Sequence, residues 1–245
     1  MIMDDNIFLS KMRDTQRLCE KYRTARFTKF LDSRSQALLD KNGILGTLFG
    51  GYEGAERQML GVFPDWQEPD NTLFPIDALK ISVKGETVPS HRQYLGTILS
   101  LGIERDKIGD ILVCERGAYV FLCSDISEFV KDSISKIGKC GAFAEYADLK
   151  SVILPNKKFE DISCVCASLR LDAVVAGLMN RSRNEAKNLI LSGKISVNHF
   201  ETQKTDFVLQ EGDLLSIRGF GRARIEKIGA KTRSGRVHIM FKKYI

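Results

Sequence analysis

The chain has 245 residues, 43% of them hydrophobic and 28% charged, which is an ordinary globular composition with room for two or three compact domains. It contains no apolar run near the roughly 18 residues a membrane span needs, and no basic-then-apolar signal segment opens it, so a cytoplasmic location without membrane insertion is expected. The net charge of +6 is unevenly placed, because residues 169–245 carry 15 Lys+Arg against 7 Asp+Glu while the preceding part is slightly acidic.

Such asymmetry is what a polyanion-binding module attached to a near-neutral body would produce. On charge alone, a solubilising surface would fit equally well; the motifs of the same region decide against it. The six cysteines (Cys19, Cys114, Cys123, Cys140, Cys164, Cys166) are scattered through mostly apolar segments, as small core residues of a reducing compartment are. Only Cys164 and Cys166 are close together, and no second pair or nearby histidine completes a zinc set, so no metal site is expected.

The first segment, residues 1–72, is expected to form an N-terminal α+β domain. It opens with mixed-charge helical sequence through about Tyr22. Phe30-Leu31-Asp32-Ser33 marks the start of a second helix, with Ser33 as its cap and Asn42-Gly43 beyond its end. Apolar stretches at 44–49 and 57–63 flank Gly50-Gly51-Tyr52-Glu53-Gly54, which predicts a hairpin. These glycines lack the Lys-Ser/Thr of a phosphate-cradling P-loop, so a tight turn is the better reading, with Tyr52 and Arg57 as secondary RNA contacts. Residues 64–71 are turn-rich and read as a domain edge.

The second segment, residues 73–165, alternates regularly. Leu79, Ile81 and Val83 give a strand. Ser90 with Gln93 forms a capping box before a helix bearing Leu95, Ile98 and Leu99, and His91 and Arg92 stand at its start. These two residues fit either a phosphate contact or an ordinary capped helix. Residues 111–114 and 118–123 predict a hairpin about Glu115-Arg116-Gly117. Asp125 with Glu128 is a second capping box, followed by Phe129, Val130, Ile134 and Ile137 with Gly138 at the stop. Residues 142–149 and 152–154 complete the segment as strand. The order β-α-β-β-α-β is that of the ferredoxin-like fold, which RNA-recognition modules also use. Tyr119 and Phe121 share one strand face, suited either to base stacking or to the core.

The third segment, residues 166–245, concentrates the chemistry. A short helix opens at Leu169-Arg170-Leu171-Asp172 and runs to about Met179. Ser182 and Glu185 form a third capping box, Ala186, Leu189 and Ile190 an apolar stripe, and Gly193 a helix stop. Arg183 and Lys187 are four residues apart and share a helix face, with Lys194 just beyond. A strand at Ile195 and Val197 ends in Asn198-His199. Arg218-Gly219-Phe220-Gly221-Arg222-Ala223-Arg224 follows a further strand, and a last hairpin turns at Ser234-Gly235. Arginine forks bind phosphate oxygens in pairs, and Gly219 and Gly221 permit close approach of a backbone. Arg183 and Lys187 are expected to sit next to Arg218, Arg222 and Arg224, forming one phosphate-binding surface.

The run LRLDAVVAGLMNRSRNEAKNLILSGKISVN, followed by EGDLLSIRGFGR, resembles the S-four RNA-binding domain. That resemblance implies an αααβ-type module whose RNA-facing positions are Arg170, Ser182, Arg183, Lys187, Lys194 and Asn198. Arg170 fits an ion pair within the domain equally well. Where the family usually has glycine, this chain has His199. GGYEGAER at 50–57 and HRQYLGTILSLGIERDKIGDILV at 91–113 resemble the YlmH family, whose chains end in the S-four domain. This wider resemblance implies a bacterial cytosolic protein. A non-catalytic role is expected because residues 1–168 show no dinucleotide or methyl-donor glycine fingerprint and no nucleophile–base pair, and a monomer is expected. Its implied partner is structured RNA, ribosomal RNA and transfer RNA, on the large ribosomal subunit during quality control of stalled ribosomes. No cofactor is implied. Two other functions compete: an rRNA-modifying enzyme of pseudouridine synthase or methyltransferase type, and a cell-division scaffold. An Arg-Leu-Asp triplet also marks pseudouridine synthases, but the Ser-Arg and Gly-Asp motifs that follow make Asp172 a helix-start cap.

Overall fold

The structure, a computed structural model, describes residues 5–85, 87–152, 159–231 and 235–244. The chain folds as two compact units, Met1–Pro155 and Asn156–Ile245. In the first, helix α1 (Asp5–Tyr22) buries Phe8, Leu9, Met12 and Cys19 and leaves its charged residues outward. Strand β1 (Arg26–Phe27) follows, then helix α2 (Ser33–Lys41). Its cap is Asp32 rather than Ser33, because the Asp32 carboxylate, in extended backbone, accepts the Ser35 N–H at 2.8 Å.

Strands β2 (Thr47–Phe49) and β3 (Met59–Val62) form the expected hairpin, with β1 on the other side of β3. The glycine turn between them serves close packing. Gly51 has φ +97, and a Cβ there would lie 2.4 Å from the Phe121 ring. Tyr52 covers the same ring at 4.9 Å between centroids.

The unit continues with β4 (Ile76–Val83), α3 (His91–Ser100), β5 (Ile108–Cys114), β6 (Gly117–Cys123), α4 (Ser124–Ser133), β7 (Lys136–Ile137) and β8 (Cys140–Ala147). The sheet order β5-β6-β4-β8-β7, antiparallel at every pairing, is the ferredoxin-like arrangement with one short added strand. The alternation in β4 and β6 buries Leu79, Ile81, Val120 and Leu122 with Ile98 of α3 and Val130 of α4. Phe30, Met59 and Phe74 belong to the same cluster, so the N-terminal elements share this core.

The α3 capping box forms, with Gln93 Oε1 accepting the Ser90 N–H at 2.8 Å. The one expected at Asp125 does not: α4 is preceded by Cys123 as cap, and Asp125 pairs instead with Lys107 at 2.7 Å. Tyr119 and Phe121 are buried in the core, the second of their two readings. The final strand stops at Ala147 and a 3-10 turn covers Leu149–Ser151; residues 153 and 154 of the expected 152–154 strand lie outside the described residues.

The second unit begins with β9 (Phe159–Cys166), which the expected boundary at 165/166 assigns to the middle segment; its whole length pairs with the last strand. Then come α5 (Leu171–Met179), α6 (Arg183–Leu191), β10 (Ile195–Val197), β11 (Phe200–Glu201), β12 (Leu214–Ile217), β13 (Gly221–Lys231) and β14 (Val237–Tyr244). The described residues therefore carry two helices on a six-stranded sheet, β11-β10-β12-β13-β14-β9, rather than the αααβ order the resemblance implied.

One sheet face packs against α5 and α6, where Val174, Ala186 and Ile190 meet Ile225, Ile239 and Phe241. Register between Val197 and Phe200 leaves Asn198 and His199 as a two-residue turn, with φ of +49 and +72. Left-handed backbone at both positions is what a tight hairpin of this twist demands. His199 thus keeps the geometry that glycine would supply. The β13–β14 hairpin forms as expected, while residues 232–234 of its turn lie outside the described residues.

Candidate nucleic-acid interface

The helix face of the second unit is organised by a carboxylate. Asp172 stands in the first turn of α5 with its side chain fully buried, two residues past Arg170, the position from which a side chain caps the helix. It accepts from Arg183 Nη2 at 2.7 Å and from Arg170 Nε at 3.3 Å, so the expected cap is instead the anchor of two arginines. Burial pushes the Asp172 carboxyl up, but the hydrogen bonds and charges of Arg170 and Arg183 outweigh it and hold the group below its usual value of 3.8. Both arginines keep about half of their side chains in solvent, at 41% for Arg170 and 52% for Arg183. Each is therefore positioned from below while its outer edge faces solvent.

The capping box at the head of α6 fixes the neighbouring backbone. Glu185 Oε2 accepts the Ser182 N–H at 3.0 Å, and Ser182 Oγ accepts the Glu185 N–H at 3.2 Å. The Ser182 hydroxyl is thereby committed to the helix start. Lys187 lies one turn beyond Arg183 on the same face. Past the helix, the Arg218 N–H donates to the Lys194 carbonyl at 2.9 Å, which ties the β12–β13 turn to the end of α6 and makes Lys194 and Arg218 neighbours. Gly219, at φ +88, has open space where a Cβ would stand. Lys187, Lys194, Arg218 and Arg224 have no side-chain ion pair among the described residues.

The expected single cationic surface resolves into two. Ala223 is buried against the helices, so Arg222 and Arg224, one residue to either side, leave β13 on the opposite face of the sheet. Arg218 alone of the glycine-flanked arginines stands beside the helix group. Asn198 lies at the end of β10, where its Nδ2 donates to Asp213 at 2.8 Å and its Oδ1 accepts the Leu214 N–H at 2.9 Å. Its amide braces the turn to β12.

In the first unit, Tyr52 and Arg57 are committed internally. Tyr52 Oη donates to Asp110 at 2.7 Å, and burial first, then the Asp110 charge, pushes its hydroxyl well above the usual range. Asp110 also accepts the Glu56 and Arg57 N–H groups, and the Arg57 guanidinium donates to the Ile108 and Phe30 carbonyls at 2.9 and 3.0 Å. The glycine hairpin is thus pinned to β5 by its own polar groups. His91 and Arg92 are exposed at the start of α3. No group of three or more His, Cys, Asp or Glu suited to a metal occurs among the described residues.

Two features escaped sequence reading. The Asp172 anchor joins residues eleven apart in sequence, for which no local pattern exists. An aromatic row on the outer sheet face depends on the pairing of β9 with β14, which only the fold supplies.

Residues 69–150 match the family described as "Putative RNA-binding domain in YlmH", and residues 169–215 match the S4 domain. The chain is similar to the ribosome-associated protein quality control protein P2 of Bacillus subtilis (strain 168), with 31% identity over 98% of this chain and 95% of that protein. A similar solved structure is the cell division protein ylmH from Streptococcus pneumoniae, with a TM-score of 0.53 and 23% identity over 62% of this chain and 96% of that one. At that identity the likeness concerns the fold.

Proposed function

The chain belongs to the YlmH family, and from that premise we propose that it is a non-catalytic RNA-binding protein of the ribosome, acting on the large subunit in quality control of stalled ribosomes. The observation that carries this reading is the helix-side array of the second unit. There Arg170 and Arg183 are set in place by buried Asp172, and Lys187, Lys194 and Arg218 extend the positive surface toward the β12–β13 turn. Fixed guanidiniums and unpaired ammonium groups bind phosphate without reading bases, which suits recognition of folded RNA by shape. The name of the B. subtilis relative supports the ribosomal setting. The proposed partners are ribosomal RNA and a transfer RNA held on the subunit, and the proposed working form is a monomer in the cytoplasm. The organisation into domains 1–72, 73–165 and 166–245 remains a proposal, with β9 pairing across its second boundary.

The pseudouridine-synthase form of the enzyme alternative would need Asp172 as a nucleophile. Its carboxylate is spent on two arginines and has no exposed surface, so it is poorly placed to attack a base. The test is sedimentation of the full chain with ribosomal subunits. The proposal expects migration with the large subunit at low salt and release at high salt, with the nucleoside composition of the ribosomal RNA unchanged. Sedimentation as unbound protein at low salt, or a modified nucleoside (pseudouridine or methylated) appearing when the digested RNA is separated by chromatography after incubation with the protein, would overturn it.

A further inference from the structure

We propose that the sheet face of the second unit turned away from α5 and α6 is a second RNA site, one that takes unpaired nucleotides. The proposal rests on the RNA-binding reading above but concerns different residues and a different form of RNA. Successive register pairs set Ser196, Ser216 and Arg222 in one row, and the same row continues through Tyr244 to Phe159. Along it the Phe159 and Tyr244 rings meet edge to face at 5.1 Å, and the Arg222 guanidinium lies 5.1 Å over the Tyr244 ring. Next to this row, Arg224 and Lys242 are register partners on the same face. Glu226 takes up Lys242 at 3.3 Å, while Arg224 has no ion-pair partner among the described residues.

The apolar side chains here are open to solvent: Phe159 is 44% exposed, Met240 46% and Val165 48%. Gathered on one sheet face rather than scattered singly, exposed apolar side chains of this kind mark interaction sites. Aromatic rings interleaved with arginines form the stacking platform on which unpaired bases lie while the cations follow the phosphates. A paired helix cannot use it, because its bases are already stacked on one another. Phe159, Arg222, Arg224 and Tyr244 lie outside both family matches, 69–150 and 169–215, so neither match assigns them a role.

The test measures binding of the full chain to two labelled probes, a uridine oligonucleotide of roughly ten residues and a fully paired RNA hairpin. Phe159→Leu with Tyr244→Leu keeps the face apolar and strand-compatible but removes the π surfaces. It should weaken oligonucleotide binding about tenfold and change hairpin binding less than twofold. Lys187→Ala with Lys194→Ala should do the reverse. Arg224→Gln, at an exposed position that does not support the core, should weaken the oligonucleotide alone, about threefold, even where the leucine variant folds poorly. Unchanged oligonucleotide affinity in both outer-face variants overturns the proposal and leaves the helix-side reading standing. An acidic peptide that binds wild type as tightly as the oligonucleotide, with the same losses in the variants, overturns it in favour of protein docking. Absence of hairpin binding by wild type would instead count against the function proposed above.

Discussion

A carboxylate with no solvent exposure, set between two half-exposed arginines, balances opposing terms. Desolvation of Asp172 is unfavourable, and the two guanidiniums offset it while leaving their outer edges available. Replacing Asp172 by Asn keeps the volume and removes the charge, which should cost about 1–3 kcal/mol. Hydrogen exchange of the α5 and α6 amides would report it. Because the folded carboxyl titrates below its unfolded value of 3.8, its stabilisation is present above that pH and is lost as pH falls through the lower folded value. Thermal melts should therefore show a steeper acid-side loss of stability for wild type than for Asp172→Asn. The same geometry makes Arg183→Ala an ambiguous probe of RNA contact, since it also leaves Asp172 with one partner; Lys187 and Lys194 are the cleaner positions. Much of this residue-level picture was legible only in outline. Arg170, Arg183 and Lys187 could be picked out by charge and spacing, but the choice between cap and anchor for Asp172 depended on where α6 returns beside α5. Tyr52 and Arg57 likewise looked like contacts until Asp110 and the main-chain carbonyls accounted for their polar groups.

At the scale of elements, local signals succeeded where the competing partners were also local. The Ser90 and Ser182 boxes form because donor and acceptor lie three residues apart; Arg181 also reaches Glu185, at 3.4 Å, but on the carboxylate oxygen the box does not use. The Asp125 box failed because Lys107, eighteen residues away, offered its side chain an ion pair. Ser182→Ala should cost about 1 kcal/mol and speed exchange in the first turn of α6, with little effect beyond it. The glycine hairpin gives a sharper test. Gly51→Ala places a methyl 2.4 Å from Phe121 on backbone of positive φ, so it should lower the unfolding midpoint of the first unit by several degrees. An unaltered melt would mean that the hairpin is not held against β6 in solution. The strand β9 illustrates what pattern alone leaves open. Its alternation is readable, but pairing with β14 joins residues far apart in sequence, and periodicity carries no information about which sheet a strand enters.

Over the whole molecule, charge divides the chain between a near-neutral first unit and a basic second unit, in which the cations face two sides of one sheet-and-helix layer. The division into fold classes was legible from motif order, and the polyanion-binding character from the charge asymmetry. The split into two cationic surfaces was not, because the alternation of Arg222, Ala223 and Arg224 assigns sides only once Ala223 is known to face the helices. The central claim is that phosphate contacts from the helix side carry binding to folded RNA. Its most direct test is the slope of log affinity against log salt for the full chain and a large-subunit RNA fragment. Lys187→Ala with Lys194→Ala should weaken binding and reduce the magnitude of that slope by roughly two, with the melting profile unchanged. An unaltered slope and affinity in that variant would contradict the account.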